Sequence, residues 1–278
     1  MDKDQSKKNR SDSQPSTARS SDVSVDPSLS VPQLLHQRRV DGEFASGSAG
    51  FVAQDRAALA AWLSSQSAAV SVAVASRAAL RSLVFYVDIF DTAETLKPHE
   101  ERLYCWVSAS LRASGLALLS VYAPQEEVAE ALHAIVLSTQ GESAASTAAS
   151  AAARAALGED AVCDAVEAVV DTVARAFNHA SMDPGSTYSY APGEAEGALA
   201  AVNADLLAFA NGQNVAEGLA SPLWPKESFF WRQNEWHLLR DCLSGRADLQ
   251  AAMQWYDDRF MGRPLDRLSN PFCNGLDE

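Results

Sequence analysis

The chain reads as an all-α protein, a helical bundle or short helical array. Three observations predict this. Alanine, the best helix former and a poor strand residue, supplies much of the 47% apolar fraction. Long stretches pass without Pro or Gly. Apolar residues recur at steps of three and four in successive segments.

Residues 1–30 are rich in Ser, Asp, Lys, Gln and Pro and hold no aromatic residue. They cannot bury enough surface to offset ordering, so a disordered leader is expected. An N-terminal helical part follows over 31–141. Residues 32–40 (PQLLHQRRV) suit a short helix, and Gly42 to Gly50 a Gly/Ser-rich loop. A helix from Asp55 to Ser64 carries Leu59 and Trp62. In 69–88, Val70, Val72 and Val74 alternate as in a strand. Val70, Ala73, Arg77, Leu80, Val84 and Val87 fit a helical stripe equally well, and the length without Gly or Pro favours helix. Pro98 can open the next helix, with Glu100 and Glu101 where the helix dipole favours anions. Leu103, Trp106, Val107 and Leu111 form its stripe, and Gly115 is expected to break it. After Pro124, residues Val128, Leu132, Ile135 and Val136 repeat at helical spacing.

Residues 142–158 are Ala/Ser-rich and are expected to form a linker or weak helix, since small side chains bury little area. The C-terminal helical part spans 159–266. A helix over 159–180 is lined by Val162, Val166, Val169, Val173 and Phe177. The Pro-Gly pair marks 181–193 as a loop. Leu199, Val202, Leu206 and Phe209 stripe a helix over 194–210, stopped by Asn211-Gly212. A Trp-rich helical hairpin comes last. Trp231, Trp236, Leu239 and Leu243 line its first helix, which ends at Ser244-Gly245. Leu249, Met253, Tyr256 and Phe260 line its second, with Gly262 and Pro264 as a strong stop. Residues 267–278 are a tail. Four of the six tryptophans fall between 224 and 255, which marks a tightly specified packing unit.

Formal net charge is −14. The leader is neutral, so the remaining 248 residues carry 17 basic against 31 acidic side chains. Such a surface repels a phosphate backbone, and nucleic-acid binding is not expected. The compact basic cluster Arg38-Arg39, with His36, reads as a solvated helix end. Cys105, Cys163, Cys242 and Cys273 show no metal spacing, and three of them read as small core hydrophobes suited to a reducing cytoplasm. No apolar signal segment opens the chain, and the apolar runs near 83–90 and 115–123 are too short to span a bilayer. A cytoplasmic protein is expected, with export as an effector the alternative.

No catalytic, metal or cofactor motif is present. His36, His99, His133, His179 and His237 stand alone; His133, inside an apolar helix, reads as a core residue, and His237 as facing solvent or the hairpin edge. One Glu-x-x-His spacing occurs, Glu130 to His133, whereas a di-iron bundle needs such a motif on two helices. Arg77 and Arg81 are i,i+4 neighbours, and local pairing with Asp88 or Asp91 is their simplest reading. Asp257-Asp258-Arg259 beside Trp255-Tyr256 is the densest polar-aromatic cluster. There Arg259 is expected to stack on a ring or pair with Asp205.

The run Leu223-Trp224-Pro225, Trp231, Trp236, then Trp255-Tyr256-Asp257-Asp258-Arg259-Phe260-Met261-Gly262 resembles a module of a bacterial protein family. That family has Ala-rich helices, a PLWP segment and a W-x-x-W-Y-x-x-R-[LF]-x-G ending. The segments Ala73 to Arg81 and Ala200 to Asp205 are similar to two further family stretches. Ala252 stands where the pattern has its first Trp of W-x-x-W-Y. The resemblance implies a helical fold and no reaction.

Arg77, Arg81, Asp205, Trp236, Trp255, Tyr256, Asp258 and Arg259 are therefore the candidate interaction or structural cluster. The expected function is a non-enzymatic interaction or regulatory module with a protein partner. An exported or defence-related effector, and an enzyme with an Arg/Asp site, are the alternatives. A deep pocket lined by those charges would favour the enzyme; an apolar groove would favour the interaction module.

Overall fold

The computed structural model describes residues 56–89, 99–122, 126–138, 144–158, 163–172, 193–263 and 271–272. All of them fall in one compact unit, 49–278, and none is in a strand. The expected leader, the 32–40 helix, the Gly42–Gly50 loop and the 181–192 loop lie outside the described residues.

The helices are α1 (Arg56–Ser64), α2 (Ala68–Ser82), α3 (Glu100–Tyr122), α4 (Glu126–Ser138) and α5 (Ala144–Leu157). They continue with α6 (163–172), α7 (Gly193–Ala210), α8 (Val215–Leu219), α9 (Lys226–Cys242) and α10 (Gln250–Phe260). A 3-10 segment, Leu83–Ile89, extends α2, and a 3-10 turn, Ala247–Leu249, leads into α10.

The two readings of 69–88 resolve as helix. Ser67 caps α2 by accepting from the Val70 amide. Every residue from Ser71 to Ser82 is buried, because α3, α5, α7 and α8 all pack on α2. A helix covered on every side has no polar face to keep wet. By length and composition Ala68–Tyr86 could cross a membrane (19 residues, mean hydropathy 1.5), a stretch longer than the sequence runs had suggested. Here 83% of it is buried inside the bundle, as the central core helix.

Of its two expected forms, the Ala/Ser-rich stretch takes the helix. It forms α5, packed on α2, α3 and α4, with Ala148, Ala149, Ala152 and Ala153 fully buried. Small side chains bury little area each, but they let helix backbones approach closely. The interior is filled by proximity rather than by bulk. Tyr86 then shares hydroxyl hydrogen bonds with Ser110 of α3 and Ser146 of α5. Arg154 of α5 pairs with Asp164 of α6, and Thr172 of α6 donates to the Ala78 carbonyl of α2.

Gly115 does not break α3, which runs unbroken from Glu100 to Tyr122. Instead the Phe272 ring occupies the space where a Cβ at Gly115 would sit, so the tail packs on the core at this point. Glu100 and Glu101 hold the first turn of α3, and Arg246 donates to Glu100 and pairs with Glu101. This ties the turn before α10 to α3, reinforced by the Tyr104–Asp248 hydrogen bond.

Cys105 and Cys163 are exposed, so they are not core hydrophobes, whereas Cys242 is half-buried and packs against the core. Cys105 and Cys163 lie beside Leu103, Val107 and Val166, which take the core positions. His133 is exposed for the same reason, its neighbours Leu132 and Ile135 facing inward. His237 is exposed, as expected.

Gly262 ends α10 with φ +70, a left-handed conformation that only glycine takes without strain. A Cβ there would lie 2.5 Å from the backbone nitrogen of Pro222. Gly262→Ala is therefore expected to cost about 1–3 kcal/mol through combined strain and overpacking. Urea denaturation would check it; an unchanged midpoint would show that the 220–225 loop yields freely.

Candidate functional site

Arg77 and Arg81 project from α2 toward α7 and the loop after α8. Helical spacing puts them on one face, one turn apart. Their partner is Asp205 of α7, not a local carboxylate; Asp91 lies outside the described residues. Arg77 grips Asp205 with both arms of its fork, Nε to Oδ2 at 2.7 Å and Nη2 to Oδ1 at 3.0 Å. Arg81 Nη1 lies 2.6 Å from Oδ2. The same two side chains bind three consecutive carbonyls. Arg77 Nη1 donates to Ser221 at 2.9 Å and Nη2 to Pro222 at 2.8 Å, and Arg81 Nε donates to Leu223 at 2.7 Å.

Arg77 and Arg81 are 2% and 1% exposed. Charges this deep cost several kcal/mol each to desolvate and persist only when paired. Burial pushes the Arg81 guanidinium below its ordinary value, while Asp205 opposes the shift. Burial alone would raise the Asp205 carboxyl, but the two guanidinium groups outweigh it and hold it below the usual carboxylate range.

The loop is delivered by α8, which the sequence reading missed. Its signal was present: Asn214 accepts from the Glu217 amide at 2.9 Å, the Ncap pattern of an Asn three residues before a Glu. The loop then runs Ser221-Pro222-Leu223-Trp224-Pro225. Trp224 is buried edge-on against Phe85, and Arg232 lies over both rings, 4.6 Å from Phe85 and 5.1 Å from Trp224. Arg232 also donates to Glu235 one turn on. Arg232, which the sequence reading did not single out, thus lies over two rings, and the Asp205 carboxylate is gripped by Arg77 and Arg81 of α2.

The remaining candidates form a second group. Trp236 and Tyr256 pack with ring centroids 4.3 Å apart, and the Trp236 N–H donates to Asp257, which also pairs with Arg240. Tyr256 joins this group to the first by donating to the Leu80 carbonyl of α2 at 3.0 Å. Its burial, followed by the Asp257 carboxylate, raises the phenol above its ordinary pKa. Trp255 turns the other way and meets Phe272 edge-on at 5.5 Å. Arg259 is buried. Asp258 points outward and pairs with Arg263. It does not join the Arg/Asp group.

Around the first group lies a cleft of about 350 Å³. Arg81 and Asp205 contribute to its lining, Ala204, Phe209 and Pro225 supply apolar wall, and Trp224 closes one side. Among the described residues no cluster of His, Cys, Asp and Glu could hold a metal ion. No protein family, curated protein or solved structure matches the chain, so its chemistry is read from its own residues.

Asp205→Asn should cost about 3–5 kcal/mol, since it leaves two buried guanidinium groups without their anion. The folded carboxyl is depressed, so its contribution is full above the unfolded value near 3.9 and is lost as pH falls through the lower folded value. Denaturation midpoints of wild type and variant should stay well separated from pH 5 to 8 and converge in acid. A constant gap down to pH 2 would contradict this.

Trp255→Ala should cost about 3–5 kcal/mol, as for a large aromatic residue removed from a core. A variant with an unmoved denaturation midpoint would show that Trp255 does not hold the α10 end together.

Proposed function

We propose that this chain is a non-enzymatic interaction or regulatory module, and that its recognition site is the cleft walled by α7, α8 and the 221–225 loop. What supports this reading is the chemical state of the cleft's polar groups. An acid–base catalyst needs a group that gains and loses a proton near the working pH. Asp205 is held ionised by two guanidinium groups, and arginine does not deprotonate in proteins. These groups supply fixed charge and shape. Most of the remaining wall, including Ala201, Ala204, Ala208 and Phe209, is apolar, with Gln213 and Ser221 as further polar residues, as in sites that bind by burial and use few polar groups for orientation.

Ala204 is exposed on α7 and lines the cleft, so Ala204→Trp can fill the space without disturbing the core. Fragment mixtures should move backbone amide NMR signals of residues 201–225 in the full chain. Ala204→Trp should keep the melting temperature within about 2 °C, as surface changes usually do, and abolish those shifts. Fragments that cluster elsewhere, or none that bind, would remove the cleft from consideration.

A further inference from the structure

The interior of α3 holds a glycine, Gly115, where glycine costs helix stability relative to alanine. A glycine inside a helix usually has a packing or functional reason. The reason here is the Phe272 ring, which lies on the bare helix backbone where a Cβ at Gly115 would stand. An alanine at this position would cover the same backbone with its own methyl group. The glycine instead makes the cover depend on one side chain from another segment of the chain.

Trp255 forms the second wall. Helix α10 packs on α3, and the Trp255 and Phe272 rings meet edge to face, with centroids 5.5 Å apart and planes at 83°. Trp255 is 2% exposed and Phe272 half-buried, so Phe272 is the outer layer and Trp255 the floor beneath it. The indole N–H of Trp255 is buried with no acceptor among the described residues. A buried donor left unmet costs free energy, and a withdrawal of the ring that lets water reach it returns part of that cost. None of Gly115, Trp255 or Phe272 lines the cleft beside α7 and α8, so this contact is independent of the function proposed above.

We propose that Gly115 and Trp255 form a slot for an aromatic side chain, that Phe272 is its resident plug, and that the plug is exchangeable with a phenylalanine carried on another peptide. A flat ring can lie on bare helix backbone and still meet a second ring edge to face, whereas a branched aliphatic chain gives up the second contact. The Phe272 contact is then autoinhibitory: it closes the slot until the ring withdraws.

The test follows the Trp255 indole N–H by two-dimensional NMR in the full chain. The Trp236 N–H, bonded to Asp257, is the internal control. Gly115→Ala places a methyl group where the ring lies, and Phe272→Ala removes the ring. Each should speed solvent exchange of the Trp255 proton about tenfold or more, as local opening does, and leave Trp236 unchanged. Gly115→Ala should lower the melting temperature of wild type yet raise that of the Phe272→Ala chain, where only the helix preference for alanine remains. A synthetic peptide of residues 264–278, added at millimolar concentration to the Phe272→Ala chain, should restore slow exchange. The same peptide carrying Phe272→Ala should not, and neither peptide should act on the Gly115→Ala chain, whose slot is filled. Phe272→Leu keeps apolar bulk and takes the place of Phe272→Ala in every arm if the latter does not fold. Unchanged exchange in the single variants would show that Phe272 covers nothing. Faster exchange that the peptide does not reverse would show a fixed packing contact. Either result overturns the proposal.

Discussion

Two arginines buried on the central helix constrain the rest of this fold. Once α2 is enclosed on all sides, Arg77 and Arg81 cannot reach water, and their charge must be met from within. One carboxylate, Asp205, meets part of it, and three backbone carbonyls complete the set. Backbone carbonyls with no intrahelical partner, the ones most open to a guanidinium, occur where the chain leaves regular structure. The irregular stretch between α8 and α9 serves that need. Its path is dictated by the charges beneath it.

The consequences spread outward from that loop. With Ser221 to Leu223 fixed from below, Pro222 presents its ring to Gly262, and Trp224 is placed against Phe85 under Arg232. The two C-terminal helices are therefore attached to the bundle at several independent points. Gly262 packs on Pro222, Tyr256 reaches the Leu80 carbonyl, and Arg246 spans to the start of α3. The cleft is a by-product of the same arrangement: the clasp holds the loop at one fixed height over α7, and the small side chains Ala201, Ala204 and Ala208 leave the space beneath it open.

The opposite side of α2 follows a different rule. There α5 contributes almost no bulk, yet it packs on three helices. Alanine carries no side-chain entropy cost and permits close backbone approach, so tight packing compensates for the small area each residue buries. The core is thus bimodal, with close-packed alanine against one face of α2 and a charged clasp with large aromatic residues against the other.

The helical class, the stripes of α3, α4, α7 and α10, the stop at Gly262 and the burial of Trp236, Trp255 and Tyr256 were all legible in the sequence. Each rests on local propensity or on a period of 3.6 residues, and both act over a few turns. The pairing of Arg77 and Arg81 was not legible. Their sequence spacing pointed to nearby acids, whereas the carboxylate that meets them lies 128 residues from Arg77. Of the linker and the helix expected for 142–158 the helix formed, but its close packing was not legible, because composition reports how much area a side chain can bury, not how near another helix can come. Arg232, Phe272 and the carbonyls of 221–223 carry no pattern of their own. Their partners are chosen by proximity in three dimensions, so the tertiary structure alone decided which donors were met, which were left over, and where the cleft would open.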